Sequence, residues 1–138
     1  MTTTAKSRRL QATATTPLLW LLFVIDAGLL ITSGIIHFHL WQIAYKDVPT
    51  FRYLFLIQAA GAVLAGLVLL ATRRLLIVLG CLLLMLGTII GFVVVRTTTL
   101  FGFHLTFTSG LASTVLVVEA VAIGMLAATA GLLGGRRS

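Results

Sequence analysis

The chain has 138 residues, 59% of them hydrophobic and 9% charged, with a mean hydropathy of +1.15. A soluble domain carries about 25% charged residues, so the composition excludes an ordinary soluble fold. Four crossings of about 20 residues each use up nearly the whole length and leave no room for a separate catalytic or nucleic-acid-binding domain. The net charge of +7 gathers at the ends of apolar segments. There it meets lipid headgroups and sets orientation. No extended basic face tracks phosphates, and nucleic acid is excluded as a partner.

Residues 1–16 are polar, rich in threonine and basic through Lys6, Arg8 and Arg9. They read as a disordered cytoplasmic tail. The apolar run that follows is too long for a signal-peptide core and carries Asp26 near its centre, so it reads as an uncleaved first span. That span covers about residues 18–41, roughly 36 Å at the helical rise, with Trp20 and Trp41 at its ends, where amphipathic rings favour the interface.

After a short connection, in which Asp47 is placed to cap and Pro49 to open the next helix, a second span covers about residues 50–71. Ala62 and Gly66 repeat at the four-residue spacing that lets helices approach closely. The Thr72–Arg73–Arg74 turn is so short that the second and third spans must be antiparallel neighbours. The third span, about 75–95, carries Gly87 and Gly91 at GxxxG spacing.

Residues 96–109 alternate aromatic and small or polar residues with a period of two. They suit either a short extended lid, with His104 opposite the phenylalanines, or the start of the last helix. The fourth span, about 110–133, offers Ala120, Gly124 and Ala128 as a smooth packing face. Residues 134–138 form a basic tail. The core is thus a transmembrane domain over 17–133.

Counting Lys and Arg by side gives seven in the two tails and the 72–74 turn against three (Lys46, Arg52, Arg96) on the other side. The positive-inside rule then puts both termini in the cytoplasm. The fold class is all-α: a polytopic, multi-pass four-transmembrane-helix bundle in a bacterial plasma membrane.

Ionisable groups inside a membrane cost about 2.5–3.5 kcal/mol on insertion scales, so Asp26 and Glu119 each need a partner or a purpose. Asp26, Ser33 and His37 fall on one helix face at spacings of seven and four residues. With Glu119 they outline an intramembrane polar path suited to protons or ions. The plainer alternative is two protonated carboxyls hydrogen-bonded to backbone, Ser33 or Gln58.

His37, His39 and His104 gather toward the outer side. Histidine is the commonest metal ligand and a haem axial ligand, so a transition metal or haem is the cofactor they would carry. His37 and His39 point about 200° apart on an ideal helix, which weakens that reading, and the expected cofactor is none. No nucleophile–base arrangement and no phosphate loop is present. The single cysteine, Cys81, has no partner for an internal disulfide and no zinc-type pattern around it; it reads as a small core residue.

The segment with Gly34, His37, His39, Leu40, Pro49, Thr50, Leu54, Phe55 and Gln58, followed later by Phe101–Gly102–Phe103, resembles an uncharacterised family of small four-helix membrane proteins of actinobacterial type. The resemblance implies a four-pass inner-membrane protein and attaches no activity. The layout is also similar to that of DoxX-type proteins by architecture alone, and architecture does not transfer function.

The expected role is a non-enzymatic accessory or interaction subunit of a plasma-membrane complex. Its partners would be the lipid bilayer and another membrane protein or a second copy of itself. Two alternatives stand beside it: an extracytoplasmic metal or haem site built on the outer histidines, and a small proton- or ion-coupled carrier using the intramembrane carboxylates.

Overall fold

The computed structural model describes residues 2–99 and 110–137, with side chains from residue 16 onward. Four helices follow in order: α1 (Thr2–Leu40), α2 (Phe51–Thr72), α3 (Leu75–Thr97) and α4 (Gly110–Gly135). All four are long and apolar enough to cross a membrane. The apolar part of α1 begins at Thr16, but the helix itself starts at Thr2, where the sequence suggested a polar tail. Pro17 sits inside it. The candidate lid over 96–109 lies mostly outside the described residues; within them, α3 runs on through Thr97.

The helices pack around one core, α1 against α2 and α4, and α3 against α4, with a sparser contact between α2 and α3. The register of that core is a heptad. On α1 the buried positions Leu19, Phe23, Asp26, Leu30, Ser33, His37 and Leu40 alternate steps of four and three. On α4, Ala112, Val115, Glu119, Ala122, Leu126 and Thr129 do the same. A 3.5-residue period keeps one seam turned toward its neighbours, as in left-handed helix packing.

The distribution of polarity identifies the solvent of the outer surface. Fully or nearly fully buried are Asp26, Ser33, His37, Glu119 and Thr129, whereas Leu76, Leu83 and Ile57 are exposed at 77%, 70% and 68%. Water would favour the reverse arrangement. A bilayer favours this one, because lipid tails accept leucine and polar groups turn inward. The chain is therefore a multi-pass membrane protein.

Close helix approach occurs at only some of the small residues. A Cβ added to Gly34 would lie 2.8 Å from the carbonyl oxygen of Ala59 and 2.8 Å from Val63 Cγ2, and one added to Gly66 would meet Ile31 Cγ1 at 2.9 Å and Ala27 O at 3.0 Å. Ala62 is fully buried on the same face of α2. These contacts make α1–α2 a small-residue interface.

Gly87, Gly91, Ala120, Gly124 and Ala128, the other expected packing residues, stand apart from these contacts. Among the described residues, a Cβ on Gly87, Gly91 or Gly124 would have nothing within 4 Å, and all five residues are exposed. The reason is register. The seam of α4 runs through residues 119, 122 and 126, which turns 120, 124 and 128 away from the core.

Both connections described depart from simple caps. The Thr72–Arg74 turn closes with Arg73 in the left-handed region (φ 49°, ψ 39°), a conformation that costs a residue with a Cβ about 1–2 kcal/mol. At the start of α2, Thr50 has φ 68° and ψ −52°, and the Phe51 N–H donates to Pro49 O at 2.8 Å. This is a γ-turn of the rare, strained kind. Thr50, not Asp47, occupies the N-cap, and no side-chain cap bond forms there. Between α1 and this turn, Trp41–Tyr45 form one turn of π-helix.

Candidate functional site

The polar residues of the core form two clusters, both between α1 and α4. At one level, Thr129 Oγ1 donates to Asp26 Oδ2 at 2.6 Å. The same hydroxyl lies 3.0 Å from Met125 O, so its one proton serves one acceptor at a time. Asp26 Oδ1 is buried with no hydrogen-bond partner among the described residues.

About 10 Å further along α1, at the helical rise, lies the second cluster. Ser33 Oγ donates to Glu119 Oε1 at 3.2 Å. His37 Nδ1 is 2.9 Å from Ser33 O. A carbonyl only accepts, so this contact assigns the ring proton to Nδ1. His37 Nε2 then faces Glu119 Oε1 at 3.7 Å, beyond hydrogen-bond distance. Leu30, Ala122 and Leu126, each with no exposed surface, lie between the two clusters along α1 and α4.

The second cluster opens on a cavity of about 440 Å³. His37, Gln58, Thr88 and Glu119 supply its polar lining, and Tyr45, Phe51, Phe55 and Phe92 its aromatic lining. The cavity is lined by the parts of α2 and α3 away from their tight turn at residues 73–74, and Gly87 and Gly91 contribute to its α3 wall. The π-turn ends on it: Tyr45 stacks on Phe55 at 4.2 Å, and His37 lies 5.5 Å from the same ring. π-turns recur at functional sites because they re-aim side chains that a regular helix would turn elsewhere. Gln58 Nε2 is buried without a hydrogen-bond partner among the described residues. A buried, unpaired amide costs about 1–3 kcal/mol.

The residues singled out in the sequence thus separate into groups. Ser33, His37, Gln58 and Glu119 share the cavity region. Asp26 belongs to the other cluster with Thr129, on the far side of the Leu30 layer. His39 is exposed on another side of α1, and His104 lies outside the described residues. No group of three or more His, Cys, Asp or Glu suited to a metal occurs among the described residues. His37 and Glu119 alone are too few donors for a closed metal site.

Cys81 is buried against the backbone of α2, with Sγ 3.9 Å from Ala65 O. The partner of Asp26 had no distinct sequence signal: Thr129 is one of several threonines in apolar helices, and only the α1–α4 register selects it. Gly34 marks the closest α1–α2 approach, yet no neighbouring small residue at four-residue spacing flags it.

The site stands on this geometry alone: no family model, curated protein or solved structure matches the chain.

Proposed function

We propose that this four-span membrane protein binds a small, largely apolar molecule from within the bilayer. The polar end of that molecule would sit against Gln58, His37 and Glu119, and its body among the aromatic residues. The observation that carries this reading is a 440 Å³ cavity whose polar groups include the unpaired Gln58 amide. Ligand pockets are mostly apolar, span about 300–1,000 Å³ and hold few, well-placed polar groups. The weak α2–α3 contact supplies a route from the lipid. A plasma-membrane location with both termini cytoplasmic completes the proposal, supported by the seven-to-three Lys/Arg asymmetry.

Photolabelling tests it. The full chain in lipid nanodiscs is exposed to a small aryl diazirine and the labels are mapped by mass spectrometry. Labels concentrated on Phe55, Leu84, Phe92 and Leu116, and lost in Gly91→Trp, are expected. Labels spread evenly over Leu64, Leu76 and Val117, which are outside the cavity lining, would sink the reading.

A second reading, an accessory subunit that assembles with another membrane protein or with itself, draws support from the outward Ala120, Gly124 and Ala128. Among the described residues, nothing covers a Cβ at Gly124. Crosslinking between copies carrying Gly124→Cys on a Cys81→Ala background, set against co-purification of other proteins, tests it. A chain that is monomeric and alone in native membranes would end it.

A further inference from the structure

We propose that the cavity selects lipophilic monocations, such as an aryl or alkyl ammonium or phosphonium, over neutral and anionic molecules of the same shape. This rests on the cavity reading above and names the class of molecule the cavity takes.

Charge balance at Glu119 is the reason. Glu119 is 1% exposed and faces the cavity. Among the described residues its carboxyl has one hydrogen bond, from Ser33. No Lys or Arg lines the cavity among the described residues. An ionised carboxylate in such a place has no permanently charged protein partner among the described residues. Its charge is balanced either by its own proton or by a cation that arrives with the ligand.

His37 brings a charge only if its ring takes a second proton at Nε2, which stands 3.7 Å from Glu119 Oε1; the neutral ring, with its Nδ1–H donated to Ser33 O, leaves the place to a cation. The arriving cation would meet aromatic faces as well: Tyr45, Phe51, Phe55 and Phe92 all line the cavity. Ring quadrupoles attract a desolvated cation, most strongly where water is excluded. An anion would meet the same quadrupoles and the same carboxyl with the opposite sign. Gln58 offers a donor to a neutral headgroup, so neutral molecules enter with lower affinity.

The test is calorimetric titration of the full chain in detergent with three ligands of nearly one shape: tetraphenylphosphonium, neutral triphenylphosphine oxide and tetraphenylborate. The phosphonium is expected to bind roughly tenfold or more tighter than the oxide, the scale of a desolvated cation–aromatic attraction. The borate is expected to bind weakest. Glu119→Gln should remove the preference for the cation and keep the oxide, and Gly91→Trp should remove both.

Phosphonium binding no tighter than the oxide, or unchanged in Glu119→Gln, overturns the inference. If the oxide still binds and is lost in Gly91→Trp, the cavity reading survives that failure. If neither ligand responds to Gly91→Trp, both fall. Should Glu119→Gln not fold, the ranking of the three ligands on the unmodified chain decides.

Discussion

Thr129 on α4 donates a 2.6 Å hydrogen bond to Asp26 on α1, across 103 residues of sequence and inside a core that neither water nor lipid reaches. The bond is the structural reason a carboxyl is tolerated at that depth. Thr129→Val preserves shape and removes the donor. It should destabilise the bundle by about 1–3 kcal/mol, the cost of stranding a buried acceptor. Thermal unfolding in detergent measures this, with Thr129→Ser as the conservative control. In the double variant with Asp26→Leu the two effects should be less than additive, because removing both partners leaves nothing stranded.

The α1–α2 contact makes a sharper demand on side-chain size. Gly34→Ala would set a methyl 2.8 Å from the Ala59 carbonyl oxygen, and backbone cannot swing aside as a side chain does. A loss of about 1–3 kcal/mol is expected, the usual cost of overpacking. Gly28→Ala, six residues earlier with nothing within 4 Å of the new Cβ, should be neutral or slightly stabilising through helix propensity. Opposite signs for two identical substitutions on one helix are the outcome to look for in paired melting curves.

Arg73 occupies a left-handed position that glycine enters without a Cβ penalty. Arg73→Gly should raise the melting temperature modestly, by up to about 1 kcal/mol in stability. Arg74 keeps a positive charge at that turn. A lowered melting temperature would show that the arginine side chain contributes more than its backbone costs.

Gln58 separates ligand binding from stability. Its amide nitrogen has no partner to lose among the described residues, so Gln58→Leu should leave the empty protein as stable as before, or more so. The same change should weaken triphenylphosphine oxide binding in the calorimeter, since the neutral ligand loses its donor. A Gln58→Leu protein that unfolds more easily would show instead that the amide is structural.

His39 and His37, two residues apart, should behave differently. His39→Ala removes an exposed side chain and should change neither stability nor phosphonium affinity. His37→Ala opens the ceiling of the cavity and removes the ring packed against Phe55. It should lower the melting temperature, which a side-by-side scan of the two variants reads directly.

How far the molecule could be foreseen depends on the range of the interaction. The four spans and the stripe of Asp26, Ser33 and His37 are local facts of composition and spacing, and a single helix wheel displays them. Which carboxyl meets which part of the stripe is a matter of register between α1 and α4. Glu119 reaches Ser33, whereas Asp26 is left to Thr129, a residue that looks like any threonine in an apolar helix.

The small residues show the same limit. Spacing marked Ala62 and Gly66 as well as Gly87 and Gly91, but only the first pair faces another helix closely. A GxxxG pattern states that a face is smooth and not what lies opposite it. The π-turn at Trp41–Tyr45 carries no local signature either, and it is what places Tyr45 on the cavity wall.

The layer of Leu30, Ala122 and Leu126 also has an electrical meaning. A membrane potential falls mainly across the parts of a protein that water does not enter, and this layer, with no exposed surface, is such a part. Moving one elementary charge through 100 mV is worth about 2.3 kcal/mol. A cation drawn to Glu119 from the side of the α1–α2 connection therefore crosses only the part of the voltage that precedes the layer. Asp26 lies beyond the layer, with no exposed surface. The two carboxyls of one small bundle thus stand on opposite sides of the layer, and a cation held at Glu119 gains nothing from the part of the voltage that falls beyond it.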